Sequence, residues 1–240
     1  MRPRRERENL SLIDITKRIE QDLGDSAVRE ALGPLGIEPS PGQVQAVRNY
    51  IVLLLFWNQV VNLTSLTHPV ELLVRHFGES MFAVRAVPIG TGRLADFGSG
   101  AGFPGLAIKL LLPDLEVQLI ESNTKKTSFL SEVVRNLDLE GVRIASGRAE
   151  EVGLEANSYD FVTARAVGHF DKLLRSARRI LRPNGRLILW LGSEDARRLG
   201  TSGGWRWQDP IPIPVSSRRV LLVGEKKAGT RDFERQRLKE

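Results

Sequence analysis

Four glycines and one acidic residue have the spacing of a nucleotide-binding turn. Gly98, Gly100, Gly102 and Gly105 fall within the stretch LADFGSGAGFPGLAIKLLL, and Glu121 ends the next apolar run. The last three glycines match the dinucleotide fingerprint G-x-G-x-x-G, which opens a helix after a strand. Such a turn offers backbone N–H groups to an anion, and an acid at the next strand end accepts hydrogen bonds from ribose hydroxyls. The pattern therefore predicts a nucleoside cofactor.

Asp96 narrows the choice of cofactor. It interrupts an otherwise apolar strand two residues before the first glycine. Burial of an unpaired carboxylate is costly, so we expect a cationic or hydrogen-bond-donating partner for Asp96. S-adenosylmethionine supplies an ammonium and a sulfonium, whereas a dinucleotide supplies two phosphates that a carboxylate would repel. Asp96 therefore favours S-adenosylmethionine, and a nicotinamide-dependent oxidoreductase remains the alternative that the glycines alone permit.

Strands and helices alternate around this turn. The pattern predicts strands at 93–98, 116–121, 142–147, 159–167 and 186–192, with helices at 104–112, 124–137 and 170–181 and a turn at 182–185. This alternation is typical of a parallel, doubly wound α/β sheet, whose ligand lies beyond the carboxyl ends of the strands. A final strand, RRVLLVGEK, follows a turn-rich stretch that contains Trp205 and Trp207. We expect this stretch to pack as an antiparallel hairpin on the sheet edge.

The residues before the first strand have a helical pattern. Apolar residues recur at helical spacing from Val44 onward, and a further helix is expected to begin at Pro69. We therefore predict three parts: a helical region at 1–88, the α/β domain at 89–225 and a charged tail at 226–240.

Composition restricts the chemistry of the protein. Lys and Arg outnumber Asp and Glu by 35 to 29, a modest excess that favours polyanionic partners such as RNA. The chain has no cysteine, which excludes thiolate catalysis, and its three histidines have no paired spacing, so no metal site is predicted. The longest apolar run, 50–57, is shorter than the roughly 20 residues of a membrane span. We expect a cytoplasmic, monomeric protein with no membrane partner.

Four motifs give the sequence a family resemblance. WNQVVNLTS, LLVRH, DFGSGAGFPG and ARAV, in this order, resemble the RsmG (GidB) family over roughly residues 44–225. The resemblance implies a class I methyltransferase fold: a Rossmann-like, mostly parallel sheet with an antiparallel last strand. It also implies transfer of a methyl group from S-adenosylmethionine to N7 of a guanine in the decoding-region loop of 16S rRNA, in the small ribosomal subunit.

The resemblance also suggests which residues bind the cofactor. Gly98, Gly100 and Phe103 would line the methionine end, and Glu121 would bind the ribose. Ala149 and Glu150 match the adenine side, and Arg165 matches an arginine that faces both the cofactor and the incoming base. The full set of predicted cofactor contacts is Asp96, Gly98, Ser99, Gly100, Gly102, Phe103, Glu121, Ala149, Glu150 and Arg165.

For the RNA we predict cations around the cofactor mouth, because such residues neutralise phosphates. They are Arg75, His76, Lys125, Lys126 and Arg165. Each has a structural alternative: the lysines as a solvated helix face, His76 as a core histidine, and Arg75 as the ion-pair partner of Glu71.

The chemistry requires no catalytic base. A guanine ring nitrogen already has a lone pair and loses no proton on methylation, so positioning is sufficient. Two positions depart from the family: Leu191 stands where a lysine is common, with Arg197 or Arg198 as possible replacements, and Glu79 stands where an aspartate is common. A non-catalytic RNA-binding protein that retains the fold is the second alternative.

Overall fold

A twisted, mostly parallel sheet is the framework of the computed structural model, which describes residues 10–166 and 168–227. Its strands are β1 Gly92–Phe97, β2 Leu115–Glu121, β3 Val142–Ser146, β4 Tyr159–Arg165, β5 Leu181–Gly192, β6 Trp205–Trp207, β7 Ile211–Pro212 and β8 Arg219–Lys226. The strand order is β3-β2-β1-β4-β5-β8-β6, and β7 also pairs with β8. Strands β1 to β5 are parallel, whereas β8 is antiparallel to β5 and to β6. The predicted doubly wound sheet with an antiparallel last strand is therefore confirmed.

The helices of the described residues precede and flank this sheet. They are α1 Leu12–Asp22, α2 Asp25–Leu32, a 3₁₀ turn Gly33–Leu35, α3 Pro41–Trp57, α4 Pro69–Leu72, a π-helical segment Leu73–Gly78, α5 Glu79–Ala86, α6 Gly105–Leu111, α7 Thr124–Asn136, α8 Phe170–Ile180 and α9 Ser193–Leu199. Local sequence sets their starts: Ser40 and Gln43 form a capping box before α3, and the Asn123 side chain caps α7. None of these helices is long and apolar enough to cross a bilayer.

The helical region shares a hydrophobic core with one face of the sheet. Val44 and Ile51 of α3 belong to the same buried cluster as Leu106 of α6 and Leu119 of β2. The other face packs against α8 and α9 in a second cluster. The helical region is therefore held against one face of the sheet by apolar packing.

Two predicted boundaries differ in the structure. The turn at 182–185 lies inside β5, where Leu181 pairs with Tyr159 and Arg186 pairs with Phe161, so the intervening residues bulge out of register. Lys226, assigned to the tail, instead ends β8; its buried ammonium donates to the Leu181 carbonyl. The rest of the predicted tail from 228 onward, and residues 1–9, lie outside the described residues.

Candidate cofactor and substrate site

A cleft of about 650 Å³ opens at the carboxyl ends of the parallel strands. Its walls come from the turns after β1, β2 and β3 and from the start of α8. Gly98, Ala149 and Glu150, three of the predicted cofactor contacts, line it, together with Ile120 and Ser122 on either side of Glu121. The cleft thus lies where the order of the strands predicts a ligand.

Two of the four glycines lie on the side of the turn that is open to a ligand. Gly98 and Gly100 have φ of 68° and 57°, in the left-handed region that favours glycine. A Cβ built on Gly100 would meet only the Gly98 carbonyl, at 3.8 Å, so the space beside it is free for a ligand.

The other two glycines serve contacts within the protein. A Cβ on Gly102 would overlap the hydroxyl of Tyr50, which donates a 2.7 Å hydrogen bond to the Ala101 carbonyl. A Cβ on Gly105 would lie 2.9 Å from the Asp96 carboxylate. Gly102 therefore admits Tyr50 from α3, and this packing, rather than the predicted cofactor contact, explains why glycine is needed there.

Asp96 has hydrogen-bond donors, but they belong to the protein. The side chain is fully buried; Oδ1 accepts from the Thr163 hydroxyl at 2.7 Å, and Oδ2 accepts from the Gly105 N–H at 3.2 Å. Burial raises the pKa of Asp96 to about 6, and these hydrogen bonds oppose that shift. The expected hydrogen-bond donors therefore exist within the protein, and Asp96 ties β4 to the start of α6. A contact of Asp96 with the cofactor stays a prediction.

The turn N–H groups are also occupied. Gly98 and Ser99 both donate to the Ile120 carbonyl, and Gly102 and Phe103 both donate to the Ser99 carbonyl. The Ser99 hydroxyl bonds the Asp96 carbonyl and the Ile120 N–H, which joins β1 to β2. Ser99 is therefore structural, contrary to its prediction as a cofactor contact. The turn is not the anion cradle that its glycines suggested.

Glu121 retains the chemistry of a ribose-binding acid. Its side chain ends β2 beside the cleft, where Oε2 accepts from the Gly100 N–H at 2.9 Å and Oε1 accepts from the Asn123 N–H at 2.8 Å. Each carboxylate oxygen can accept a further hydrogen bond. Two fixed acceptors beside an open glycine turn fit the two hydroxyls of a nucleoside.

Phe103 lies in an aromatic cluster rather than in the cleft. Its ring stacks with Tyr50 at a centroid distance of 5.5 Å and with His76 at 4.9 Å, and it meets the edge of Phe77. Only 7% of Phe103 is exposed. The ring joins the glycine loop to the helical region, and a contact of Phe103 with the methionine end stays a prediction.

His76 is a neutral, packed histidine. Its Nε2 is 2.7 Å from the Thr64 hydroxyl, and the Asn58 side chain binds the backbone on both sides of Thr64, so the motif WNQVVNLTS forms a loop that supports the ring. Burial, together with the charges of Arg165 and Arg219, lowers the pKa of His76 to about 4. These contacts and the lowered pKa favour the core-histidine alternative, and phosphate binding by His76 stays a prediction.

Arg165 turns away from the cleft and toward the helical region. It donates to the Arg75 carbonyl at 2.7 Å, to Glu79 Oε2 at 2.9 Å and to the Ser80 hydroxyl at 3.2 Å. Its side chain is 11% exposed and is not among the described residues that line the cleft. The predicted direct contact of Arg165 with the cofactor is therefore not supported; it joins the end of β4 to the π-helical segment and α5.

The remaining predicted cations face solvent. Arg75 is about half exposed and lies 3.8 Å from Glu71, which agrees with the alternative that the two form an ion pair. Lys125 is exposed and Lys126 half-buried at the start of α7. Of the proposed substitutes for a cation at Leu191, Arg197 bonds the Ser193 carbonyl within α9 and Arg198 pairs with Asp195.

The sequence missed Tyr50, Thr163 and Arg219. In the sequence, Tyr50 and Thr163 are only polar residues within apolar elements. Their roles depend on hydrogen-bond partners from distant segments, which the sequence does not show. Arg219 lies 2.7 Å from Glu79, and nothing local distinguishes it from the other surface arginines.

The order of the sheet, the glycine turn after β1 and the acid at the end of β2 define a class I methyltransferase fold. Solved structures agree in fold. An S-adenosylmethionine-dependent methyltransferase from Aquifex aeolicus aligns with a TM-score of 0.55 at 16% identity, over 66% of this chain and 94% of that one. Geranyl diphosphate methyltransferase aligns with a TM-score of 0.56 at 14% identity, over 78% and 99% of the two chains.

Within this class, the model of the family GidB, rRNA small subunit methyltransferase G, matches residues 43–202. Relatives of that name are 38% identical in Roseiflexus castenholzii, over 81% of this chain and 88% of the relative, and 41% identical in Xylella fastidiosa, over 74% and 84%. The chain therefore belongs to the rRNA small subunit methyltransferase G family, and the resemblance predicted from its motifs is confirmed.

Proposed function

We propose that this chain transfers a methyl group from S-adenosylmethionine to N7 of a guanine in the decoding-region loop of 16S rRNA. Family membership makes it an S-adenosylmethionine-dependent rRNA methyltransferase. The small ribosomal subunit or its rRNA is the partner, and we infer that the protein acts as a cytoplasmic monomer. Light scattering should then give a mass near 26.8 kDa, and a stable dimer mass would overturn the monomer.

The occupied N–H groups of the glycine turn support this cofactor over a dinucleotide. A pyrophosphate needs free backbone donors at a helix N-terminus. Here the Gly100 N–H is bonded to Glu121 and the Gly105 N–H to Asp96, so neither donor is free for a pyrophosphate. A cofactor with a cationic methionine end and a ribose does not need these donors. This observation separates the two alternatives that the glycine spacing left open.

In the proposed mechanism the protein supplies position rather than proton transfer. Glu121 would accept the ribose hydroxyls, while Ile120, Ala149 and the bare backbone of Gly98 would enclose the nucleoside. Bound S-adenosylmethionine would supply an electrophilic methyl carbon; the lone pair of guanine N7 would bond to that carbon in line with the breaking carbon–sulfur bond, and S-adenosylhomocysteine would leave. The protein therefore has to orient the base and exclude water, and exposed Arg75 and Lys125 are the residues we assign to RNA phosphates.

Methyl transfer to 16S rRNA that lacks the modification tests this function. Purified protein is incubated with tritium-labelled S-adenosylmethionine and either free rRNA or small subunits, and the labelled nucleotide is mapped. We expect one labelled guanine, modified at N7, and no incorporation into rRNA that already has the methyl group. Label at another atom would overturn the proposed position. Salt-sensitive RNA binding without incorporation on either substrate would favour the non-catalytic alternative.

A further inference from the structure

A buried carboxylate joins two arginines at the ends of two strands. Glu79, the first residue of α5, is 1% exposed; its Oε2 lies 2.9 Å from Arg165 and its Oε1 lies 2.7 Å from Arg219. Arg165 ends β4 and Arg219 begins β8. We call these three residues the arginine clamp. It joins the helical region to two strands of the sheet.

The arginine clamp has an excess positive charge. One carboxylate is shared by two guanidinium groups, and the carbonyl of Arg75, itself a cation, accepts a further hydrogen bond from Arg165. Burial lowers the pKa of Arg165 to about 10, which leaves it charged at neutral pH. Glu79 balances the charge of one of the two guanidinium groups, so the clamp has a net charge of one positive unit, and its partly exposed member, Arg219, can attract an anion.

The location of the clamp fits a nucleic-acid phosphate. Arg219 pairs across the sheet with Gly192, the last residue of β5, so it lies at the same carboxyl edge as the cofactor cleft. Its side chain is 29% exposed, against 11% for Arg165, so Arg219 is the member that a ligand can reach. A guanidinium has five N–H donors, and an ion pair with one carboxylate oxygen leaves others for a phosphate.

We propose that Arg219 binds an RNA phosphate near the target guanine, and that Glu79 and Arg165 are positioning residues that hold its guanidinium. The proposal rests on the proposed function, because it assumes an RNA substrate at this edge of the sheet. The ion pair with Glu79 restricts the motion of the Arg219 side chain before the RNA arrives, which lowers the entropy lost on binding. The clamp also links RNA contact to the helix that contains His76 and Arg75.

Arginine variants test the clamp. We expect Arg219→Ala to weaken rRNA binding about ten- to a hundredfold, because a charged hydrogen bond is lost. The slope of log affinity against log salt should fall in magnitude by about 0.7 to 0.9, as expected for one phosphate contact. Arg219→Lys should retain the slope and recover part of the affinity. S-adenosylmethionine binding should change less than twofold.

Arg206→Ala is the matched control. Arg206 lies on β6 and pairs at 2.8 Å with Glu225 of β8. The variant therefore removes an arginine–carboxylate pair of similar length that is distant from Arg219 along β8. This control should leave the RNA affinity and the salt slope unchanged. An Arg219→Ala protein that loses stability but binds RNA with the wild-type dependence of affinity on salt would overturn the proposal. The clamp would then only stabilise the fold.

Glu79→Gln separates positioning from charge. We expect a raised KM for rRNA with little change in kcat, because the loosened Arg219 still reaches the phosphate; a fall in kcat alone would contradict a positioning role. Should this variant fail to fold, Arg219→Ala and Arg219→Lys still test the proposal, because Arg219 is partly exposed. Normal N7 methylation with an unchanged KM in Arg219→Ala would refute the clamp alone, whereas RNA binding without methylation by the wild type would refute the proposed function.

Discussion

A methyl group added at Gly102 should disrupt the contact between the glycine loop and the helical region. Gly102 has φ of 88°, and a Cβ there would overlap the Tyr50 hydroxyl and lie 2.8 Å from Leu106 Cδ1. Gly102→Ala must therefore displace the Tyr50 hydroxyl from the Ala101 carbonyl. The loop that shapes the cofactor cleft would shift with it.

The structure gives the size of this effect. Left-handed backbone at a non-glycine residue costs about 1–2 kcal/mol, overpacking adds about 1–3 kcal/mol, and the lost hydrogen bond of Tyr50 adds about 1 kcal/mol. Tyr50→Phe alone should cost about 1–2 kcal/mol, because it leaves the Ala101 carbonyl without that donor. In the double variant the hydroxyl is absent, so the alanine meets less resistance. We expect a coupling free energy of about 1–2 kcal/mol between the two substitutions.

Urea unfolding of the four proteins, with S-adenosylmethionine titrations in parallel, measures this coupling. The double variant should be more stable than the sum of the single effects predicts, and cofactor affinity should fall most in Gly102→Ala. Strict additivity within about 0.5 kcal/mol would refute the reasoning, because it would mean that the hydroxyl of Tyr50 does not determine the glycine at position 102.

Three further predictions concern buried or site polar groups. Glu121→Ala should weaken S-adenosylmethionine binding by about 1–3 kcal/mol, measured by calorimetry, because charged hydrogen bonds to the ribose are lost. The folded pKa of His76, about 4, lies below its unfolded value of 6.5. The unfolded chain therefore binds more protons than the folded chain as pH falls through this range. Relative to His76→Gln, the wild type should lose up to about 3 kcal/mol of unfolding free energy between pH 6.5 and 4. Thr163→Val removes a donor from Asp96 and should cost about 1–3 kcal/mol at pH 7.5, with a smaller deficit below pH 6, where Asp96 becomes protonated.

Each of these predictions has a control or a contrary outcome. An unchanged dissociation constant in Glu121→Ala would refute the ribose assignment, and Glu150→Ala serves as a comparison on the adenine side. The pH experiment needs the difference between wild type and variant, because the raised pKa of Asp96 increases stability over much of the same range as His76 lowers it. A deficit in Thr163→Val that does not change between pH 7.5 and 5 would show that its hydroxyl does not act through an ionised Asp96.

The sequence predicted the elements that depend on local pattern. Period-2 and period-3.6 runs located β1 to β5 and their helices, and the spacing between Gly100 and Glu121 located two groups that bond at 2.9 Å. The bulge before Arg186 was missed, because the turn residues of RPNG look the same whether they end a helix or interrupt the pairing of a strand.

Partners brought together by the sheet could not be read from the sequence. Asp96 meets Thr163 because β1 and β4 are neighbours, and the sequence shows the acid without its partner. The lowered pKa of His76 follows first from its burial and then from the charges of Arg165 and Arg219, and these conditions arise only after β4 and β8 are in place. For the same reason a buried carboxylate suggested a ligand cation where the fold already supplied donors.

The assignment of the cleft depends on which cofactor the glycine turn and Glu121 accept. Calorimetric titration of the purified protein with S-adenosylmethionine and, separately, with NAD tests it most directly. The structure predicts saturable one-site binding of S-adenosylmethionine that Glu121→Ala weakens, and no measurable binding of NAD. Saturation with NAD and none with S-adenosylmethionine would contradict both the site and the proposed function.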